Sequence, residues 1–394
     1  MRLNIGKDIE NNDYVYLDAS RSRAVLVCGK RGSGKSYTIG VIVEELWEAG
    51  DVLIIVIDPM GIYYPMAQPN REQERLLWDW GLSAKGIPTV VLVPGDPERL
   101  YGGRDVVGAM EARGVHFRQF RLNPADLSPD AWCKLFNLSI NDVMGIALFR
   151  AVQNLARRRK EHFFIPDIID EIEADDRVAD KTKEALLNRL EMAQDWDIFS
   201  TRYQELWETF DQKAVNIVDL STLDPGTHGR RNLVVDVLAR DIFKRRTIAR
   251  RKEELGLIGE LPRVWMLIDE AHQFVPSSRT TLAKEALIRW VKEGRQPGIS
   301  LVVASQQPSA IDSEVLTQCD VILCQKLTNS LDIQAVNSLS QDYMASELKT
   351  LIRKLSRQGE AVLVDDEAEK VSMIQIRPRK SCHGGGEARR QRLS

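Results

Sequence analysis

The 394-residue chain has few cysteines and no long apolar run. Its five cysteines, at positions 28, 133, 319, 324 and 382, form no CxxC pair and no paired metal-ligand spacing. This scarcity argues against a zinc module or a disulfide-stapled fold. No run approaches the roughly 18 apolar residues of a membrane span, and the polar N-terminus has no signal-peptide core. We therefore expect a cytoplasmic protein with reduced thiols and no membrane contact.

An excess of positive charge is also missing. The formal net charge is −3, so no global basic field indicates nucleic acid as a ligand. A ring that is acidic outside and basic in its pore would still give this balance, so DNA binding is not excluded. The contents of 43% hydrophobic and 28% charged residues are ordinary for a globular protein. The length fits one large α/β domain with insertions, or two smaller domains.

Short apolar runs alternate with helical patterns along most of the chain. The continuous apolar runs are typical of buried parallel strands. The predicted strands are 24–28, 52–57, 89–93, 215–220, 264–268, 300–304, 321–324, 361–364 and 371–376, and the predicted core helices include 37–47, 233–251 and 282–291. The repeated order of strand, helix and strand predicts an α/β fold with a mainly parallel sheet flanked by helices.

Changes in residue pattern and composition divide the chain into segments. Residues 1–20 predict a short N-terminal stub, and residues 21–122 and 213–379 predict the two parts of the sheet domain. Residues 123–212 are helical in pattern and rich in charge, and they are too long for a plain loop, so we interpret them as a helical insertion. Residues 380–394, with three glycines and several arginines, predict a disordered tail.

The segment GKRGSGKS, residues Gly29–Ser36, matches the phosphate-loop pattern G-x-x-x-x-G-K-[ST]. Glycines let backbone N–H groups turn toward anionic phosphates, and the helix that follows adds its positive end. Lys35 would bind the β- and γ-phosphates of ATP, and Ser36 would bind Mg²⁺. A glycine-rich turn without a ligand is the alternative, but an apolar strand precedes the motif and an amphipathic helix follows it. The predicted nucleotide-binding residues are Gly29, Gly32, Ser33, Gly34, Lys35, Ser36 and Tyr37.

Two acids follow the apolar run 264–268. Asp269 would bind the metal directly or through water, and Glu270 would act on the attacking water as the general base or as a polarising group. The alternative is a surface acid pair that ends an ordinary strand. Adjacent Asp and Glu at this strand end favour hydrolysis by a P-loop protein of the additional-strand group.

Gln306 and Arg295 have less specific surroundings. Gln306 follows the run 300–304, where an amide could detect the γ-phosphate, and the alternative is a turn residue. Arg295 follows the helix 282–291, and an arginine at a domain edge could reach a neighbour's γ-phosphate. Without further context, a solvated arginine is the simpler interpretation of Arg295.

The order of several segments resembles the HerA–FtsK superfamily, with the greatest similarity to the HerA ATPases. The resemblance spans about residues 5–376. The segments that carry it are GKRGSGKS, DPMGIY, VNIVDLS, LIDEAHQFVP, EGRQPGISLVVASQQPSAID, CDVILCQKLTNSLD and GEAVLV. It implies a RecA/FtsK-type P-loop fold and a six-subunit ring that hydrolyses ATP at subunit interfaces. Such rings move duplex DNA through their pore, often with a partner nuclease.

The resemblance also implies roles for single residues. The matching positions are Lys35 and Ser36 for phosphate and metal, Asp269 and Glu270 for metal and catalysis, Gln306 as a sensor, and Arg295 as a finger that acts on a neighbouring subunit. Two departures are visible. An N-terminal β-barrel is usual in HerA proteins, and here it would be absent or reduced to a stub. The family's DPHGEY-like segment reads DPMGIY, with Ile62 where an acid is usual.

Two function hypotheses follow. The first is an ATP-driven translocase of double-stranded DNA that works with a nuclease or an antiphage-defence effector. The second is a regulatory or scaffold ATPase ring that controls a bound effector. A conjugation or secretion motor is disfavoured because no membrane span is present. The basic stretches 157–160, 244–246 and 250–252 are either pore residues or solvated helix faces.

Overall fold

A twelve-stranded sheet forms the centre of the residues that the computed structural model describes, which are 1–159, 162–224, 229–339, 342–366, 368 and 370–385. The strands are β1 (Arg2–Asp8), β2 (Tyr14–Asp18), β3 (Ala24–Cys28), β4 (Val52–Asp58), β5 (Thr89–Pro94), β6 (Val115–Phe120), β7 (Val215–Asp219), β8 (Arg263–Ile268), β9 (Ile299–Ser305), β10 (Val321–Cys324), β11 (Glu360–Asp365) and β12 (Lys370–Ile376).

Helices connect the strands and cover the sheet. They are α1 (Lys35–Ala49), α2 (Glu74–Asp79), α3 (Pro97–Leu100), α4 (Arg104–Glu111), α5 (Pro129–Leu135), α6 (Val143–Arg159), α7 (Ile165–Glu173), α8 (Asp180–Asp195), α9 (Arg230–Glu254), α10 (Leu282–Glu293), α11 (Ser313–Leu316), α12 (Ser330–Asn337) and α13 (Asp342–Lys354). Among the described residues, none of these helices has the length and apolarity that a bilayer crossing requires.

The strand order is β2-β1-β12-β11-β10-β3-β9-β8-β4-β7-β5-β6. From β10 to β6 all neighbouring strands are parallel, whereas β2, β1, β12 and β11 form an antiparallel extension at one side. Parallel strands bring their carboxyl ends to one edge of a sheet. The segments that follow β3, β4, β7, β8 and β9 therefore meet there, and we call this the carboxyl edge.

The two faces of the sheet pack into separate hydrophobic clusters. Successive side chains of a strand point to opposite faces, and β4 shows this with Ile55 in one cluster and Ile54 in the other. Helix α1 covers the Ile54 face. Helices α5 to α10 cover the Ile55 face, so the helical segment 123–212 shares its core with the sheet.

Two regions of the sheet differ from the sequence-based expectation. The predicted stub 1–20 is wrong as a separate segment, because β1 and β2 are two strands of the central sheet and β1 pairs with β12. Strand β6 had no prediction, and it forms the opposite side of the sheet. In both regions polar and apolar residues are mixed, since strands at or near the edge of the sheet bury less of their surface than central ones.

The predicted disordered tail begins too early. Arg377 and Arg379 are fully buried, and Ser381 donates hydrogen bonds from its N–H and Oγ to Glu44 of α1. The guanidinium of Arg379 lies against Gly40, where a Cβ would be only 2.4 Å from its Cζ. The prediction is therefore wrong for residues 380–385, whereas residues 386–394 lie outside the described residues.

Candidate nucleotide-binding site

The phosphate loop, residues Gly29–Ser36, leaves the carboxyl end of β3 and enters α1. Gly34 precedes the helix with a φ of 112°, in the left-handed region that glycine adopts without strain. A Cβ at Gly29 would lie 2.5 Å from Oγ of Ser33 and 2.8 Å from Cβ of Gln325. The sequence therefore needs glycine at both positions to close this loop, and the loop lies at the carboxyl edge.

Gln325 supports the loop from the neighbouring strand. Its Oε1 accepts a hydrogen bond from Oγ of Ser33 at 3.0 Å, and its Nε2 donates to Oγ1 of Thr38 at 2.9 Å. Gln325 is fully buried and follows β10, whose last residue Cys324 pairs with Cys28 of β3. Sequence reasoning missed this residue, and the available signal was a glutamine directly after a buried strand.

Gln325→Leu is expected to weaken ATP binding by about tenfold, because the hydroxyls of Ser33 and Thr38 each lose a buried hydrogen bond and one such bond is worth about 1 kcal/mol. Isothermal titration calorimetry measures the change in Kd. The matched control is Gln334→Leu, since Gln334 is an exposed amide on α12. An unchanged Kd in a folded Gln325→Leu protein would contradict the supporting role.

The two predicted metal residues lie side by side. Ser36 donates from Oγ to Oδ2 of Asp269 at 2.6 Å, and the hydroxyl of Tyr63 donates to the same oxygen at 2.9 Å. Asp269 is 1% exposed. A hydroxyl and a carboxylate are hard oxygen ligands that suit Mg²⁺, which keeps several water or phosphate ligands as well. Among the described residues, no three His, Cys, Asp or Glu side chains lie close enough to hold a metal ion by themselves. An ion held by Ser36 and Asp269 would therefore take its other ligands from ATP and water.

Glu270 has an unusual backbone conformation. Its φ of 47° lies in the left-handed region, which costs a non-glycine residue on the order of 1–3 kcal/mol. The side chain is buried, and its Oε1 accepts a hydrogen bond from Nε2 of Gln306. Its Oε2 lies 3.4 Å from Nδ1 of His272. The structure therefore brings Gln306 and Glu270 together, with the imidazole of His272 beside the second carboxylate oxygen.

Lys35 lies in the same region. It is 5% exposed, and its Nζ donates to the carbonyl of Lys30 at 3.3 Å. Burial lowers the pKa of Lys35, whereas the charges of Glu270 and Asp269 oppose this shift. A buried ammonium beside a glycine loop is placed to bind a phosphate group.

The DPMGIY segment folds around Asp58 at the end of β4. The carboxylate of Asp58 accepts four backbone N–H hydrogen bonds, from residues 60 to 63. Burial and the nearby Asp219 raise the pKa of Asp58 to about 7. Ile62, which replaces the usual acid, contributes its N–H at 2.7 Å to Oδ2 of Asp58. The turn also places Tyr63 against Asp269.

Tyr37 lies between the phosphate loop and the C-terminal segment. Its hydroxyl donates to Oε1 of Gln73 at 2.8 Å and accepts from the N–H of Arg379 at 2.7 Å. The ring lines a cavity of about 510 Å³ that reaches Gly34 and also touches His383. Burial, with Arg379 nearby, lowers the pKa of His383 to about 4, so its imidazole is neutral at pH 7. The hydroxyl of Tyr37 is thus engaged within the chain, and its predicted contact with the nucleotide stays a prediction.

Arg295 lies away from these groups. It belongs to the loop before β9, at the amino-terminal edge of the parallel strands. Strands of this length separate the two edges by on the order of 20 Å. The side chain is 75% exposed, and its Nη2 lies 3.9 Å from Oδ2 of Asp320. Arg295 does not join the site of its own chain.

Some residues of the predicted basic stretches are paired with acids. Arg158 pairs with Glu171 at 3.0 Å, and Arg245 pairs with Asp241 at 2.7 Å. Lys160 lies outside the described residues. These pairings reduce the charge that either helix presents to a phosphate backbone.

The fold and the carboxyl-edge site define a P-loop ATPase. Comparison with known sequences gives the family: residues 3–242 match the family described as the central domain of helicase HerA, and the chain belongs to this family. A probable helicase of Methanocaldococcus jannaschii is 23% identical over 402 residues, which cover 97% of this chain and 68% of the relative. The DNA double-strand break repair helicase HerA of Sulfolobus acidocaldarius is 24% identical over 376 residues, with 94% and 68% covered.

Solved structures show the same fold at low sequence identity. VirB4 of Thermoanaerobacter pseudethanolicus aligns with a TM-score of 0.57 and 15% identity, covering 95% of this chain and 96% of that chain. The bacterial conjugative coupling protein TrwB aligns with a TM-score of 0.53 and 13% identity, covering 96% and 91%. Both alignments extend over the sheet and the helices between its strands.

Proposed function

We propose that this protein is the ATP-hydrolysing subunit of a hexameric ring that translocates double-stranded DNA. The observation that carries the proposal is the group at the carboxyl edge, where Ser36 meets Asp269 and Glu270 meets Gln306 beside the phosphate loop. Membership of the HerA family, with relatives named as DNA repair helicases, supports DNA as the substrate of the motor. A partner nuclease or an antiphage-defence effector belongs to the same proposal.

In the proposed reaction, the N–H groups of the phosphate loop and the ammonium of Lys35 bind the β- and γ-phosphates. Mg²⁺, held by Ser36 and Asp269, would supply positive charge against the phosphate oxygens. Glu270 accepts the proton of the attacking water, because Gln306 fixes one carboxylate oxygen and the other makes no hydrogen bond among the described residues. Gln306 follows β9 directly, so its hydrogen bond would hold the carboxylate of Glu270 at the end of that strand, beside the γ-phosphate.

Duplex DNA is expected to stimulate ATP turnover by about tenfold or more, since a motor couples hydrolysis to movement on its substrate. The measurement is steady-state phosphate release with linear duplex, single-stranded DNA or no DNA. The same samples are sized by analytical ultracentrifugation with ATP and Mg²⁺. An intact hexamer whose turnover is unchanged by any duplex would contradict the translocase proposal.

A regulatory or scaffold ATPase is the second candidate. The pairing of basic residues with acids on α6 and α9 favours it, because a translocase needs unpaired cations along its DNA path. This candidate predicts DNA-independent turnover that changes when an effector protein binds. The DNA-stimulation experiment therefore separates the two candidates.

A further inference from the structure

A cavity of about 510 Å³ lies beside the phosphate loop, between the start of α1 and the C-terminal segment 375–383. Its wall includes Gly34 of the loop and Tyr37 of α1. Gln358, also in the wall, donates from Nε2 to the carbonyl of Gly32 at 3.4 Å. The volume falls within the roughly 300–1,000 Å³ of ordinary small-molecule sites. A nucleotide whose phosphates are bound by the loop would therefore have this cavity within reach of its base.

Two amide side chains, those of Asn70 and Gln73, line the cavity and belong to one hydrogen-bonded circuit. The N–H of Arg379 donates to the hydroxyl of Tyr37 at 2.7 Å, and that hydroxyl donates to Oε1 of Gln73 at 2.8 Å. Nδ2 of Asn70 donates to the same Oε1 at 3.0 Å and to the carbonyl of Arg379 at 2.9 Å. The circuit therefore begins and ends on the backbone of Arg379.

This circuit determines which way both amides face. A backbone N–H can only donate, and a backbone carbonyl can only accept. Because the hydroxyl of Tyr37 accepts from the N–H of Arg379, its own proton is directed at Gln73 and must meet the amide oxygen. The carbonyl of Arg379 likewise requires the nitrogen of Asn70. Reversing either amide would place two donors or two acceptors against each other.

The circuit leaves one donor and one acceptor for a ligand. Oε1 of Gln73 already accepts two hydrogen bonds, and Nδ2 of Asn70 already donates two. Nε2 of Gln73 and Oδ1 of Asn70 have no hydrogen-bond partner within the part of the chain that the structure describes. Asn70 is only 6% exposed, so its free oxygen is a buried acceptor in the cavity wall.

Adenine carries the complementary groups. Its N6 amino group donates, and the neighbouring ring nitrogen N7 accepts, which is why asparagine and glutamine amides pair well with it. Guanine has the acceptor O6 where adenine has the amino group. With guanine in the same position, Oδ1 of Asn70 would face a second acceptor, and a hydrogen bond would be replaced by a repulsive contact.

Aromatic rings form another part of the cavity wall. The rings of Tyr37 and His383 meet edge to face, with their centroids 5.5 Å apart, and both line the cavity. Burial lowers the pKa of His383 to about 4, so its imidazole is uncharged at pH 7. The side chain of Leu76 adds apolar surface. A flat, uncharged base can pack against such groups.

We propose that this cavity binds the base of the nucleotide and that Gln73 and Asn70 select adenine over guanine. Gln73 donates to a ring nitrogen of adenine, and Asn70 accepts from its amino group. Tyr37 is a positioning residue, because its hydroxyl holds the amide of Gln73 in one orientation. The inference rests on nucleotide binding by the phosphate loop and deepens that part of the proposed function.

The nucleotide preference of the unaltered chain is the first test. Calorimetric titration with Mg²⁺ present is expected to give a Kd for ATP at least about tenfold below those for GTP and inosine triphosphate, in which oxygen replaces the amino group. Inorganic tripolyphosphate, which has no base, should also bind about tenfold or more weakly than ATP. Equal Kd values for ATP and either comparison ligand would overturn the inference and leave the phosphate loop as the phosphate site.

Gln73→Glu tests the free donor. One carboxylate oxygen can stay in the circuit, whereas the other presents an acceptor in place of Nε2. The added charge weakens every triphosphate, so the readout is the Kd for GTP divided by that for ATP. This ratio is expected to fall by about tenfold, because guanine offers adjacent donors at N1 and N2. Gln334→Glu, on the exposed face of α12, is the matched control and should keep the wild-type ratio. An unchanged ratio in Gln73→Glu would count against the assignment.

Tyr37→Phe keeps the ring and removes the hydroxyl that orients Gln73. The preference for ATP over GTP should fall by about fivefold, the effect of one hydrogen bond, while the Kd for tripolyphosphate stays unchanged. A purely structural role of Tyr37 would instead weaken all three ligands alike, and that result would contradict its positioning role.

Alkylation of Cys382 locates the base independently of affinity. This half-buried thiol lines the cavity. Saturating ATP should slow its reaction with iodoacetamide severalfold, as measured by mass spectrometry, whereas saturating tripolyphosphate should not. If ATP protects Cys382 no better than tripolyphosphate, the base lies elsewhere and the inference is wrong. A folded chain that binds neither ligand would contradict the proposed function itself.

Discussion

Glu270→Gln is expected to bind ATP normally and to lose turnover by about 1,000-fold, which lies within the usual contribution of a general base. The amide has nearly the shape of the carboxylate, so the contact with Gln306 and the left-handed backbone can be retained. The amide is not basic enough to accept the proton of the attacking water. Single-turnover phosphate release and calorimetric ATP binding separate the two effects.

The control is Glu98→Gln, which makes the same chemical change in a carboxylate that is 55% exposed on α3. Its turnover should equal that of the wild type. Because the Glu270→Gln protein retains bound ATP, its melting temperature should still rise with ATP concentration. Hydrolysis at the wild-type rate would show that another group activates the water.

Glu44→Ala is expected to reduce the free energy of unfolding by about 3–5 kcal/mol, because removing one partner of a buried ion pair leaves an uncompensated charge. Glu44 is fully buried in α1, 2.8 Å from Nη1 of Arg377 and 3.6 Å from Nε of Arg379. Burial alone would raise the pKa of Glu44, but the charges of Arg377 and Arg379 outweigh burial and lower the pKa below its ordinary value. The carboxylate is therefore ionised. Urea unfolding monitored by circular dichroism gives the change.

Glu48→Ala is the matched control on the same helix. Its side chain is 34% exposed and pairs with Lys380 at 2.6 Å, so the expected loss is about 1 kcal/mol or less. Equal losses for the two variants would contradict the structural role of the Glu44 group. The phosphate loop leads directly into α1, whose first residues are Lys35 and Ser36. Glu44→Ala should therefore also weaken ATP binding in the fraction that remains folded.

The parallel strands could be predicted from sequence because both of their faces are buried. Such strands are continuous apolar runs, as in VLIIVID of β4, and this pattern does not depend on which strand lies beside it. Strand β1 could not be found in this way. Its sequence RLNIGKD mixes charged and apolar residues, and its place is set by pairing with β12 at the other end of the chain.

The site shows the same division. Lys35, Ser36, Asp269 and Glu270 belong to short segments whose spacing alone indicates their chemistry. Gln325 and Tyr63 act through contacts with residues far away in sequence, 292 positions in the case of Gln325 and Ser33. The C-terminal segment looked disordered because its partner Glu44 lies 337 positions before Ser381. The composition of a segment reflects only its own residues, whereas its ordering in the fold depends on contacts with residues elsewhere in the chain.

The position of β10, β11 and β12 also determines the order in which the chain can fold as it is made. These strands are made after β1 to β9, yet they lie between the hairpin of β1 and β2 and the phosphate-loop strand β3. The hairpin of β1 and β2 therefore cannot join the rest of the sheet until β12 has been made. Such non-local pairing is slow, and it leaves strand edges exposed in the meantime. Arg377 and Ser381, which hold Glu44 of α1, are made later still, so in a nascent chain the helix behind the phosphate loop gains these contacts only after β12 has emerged.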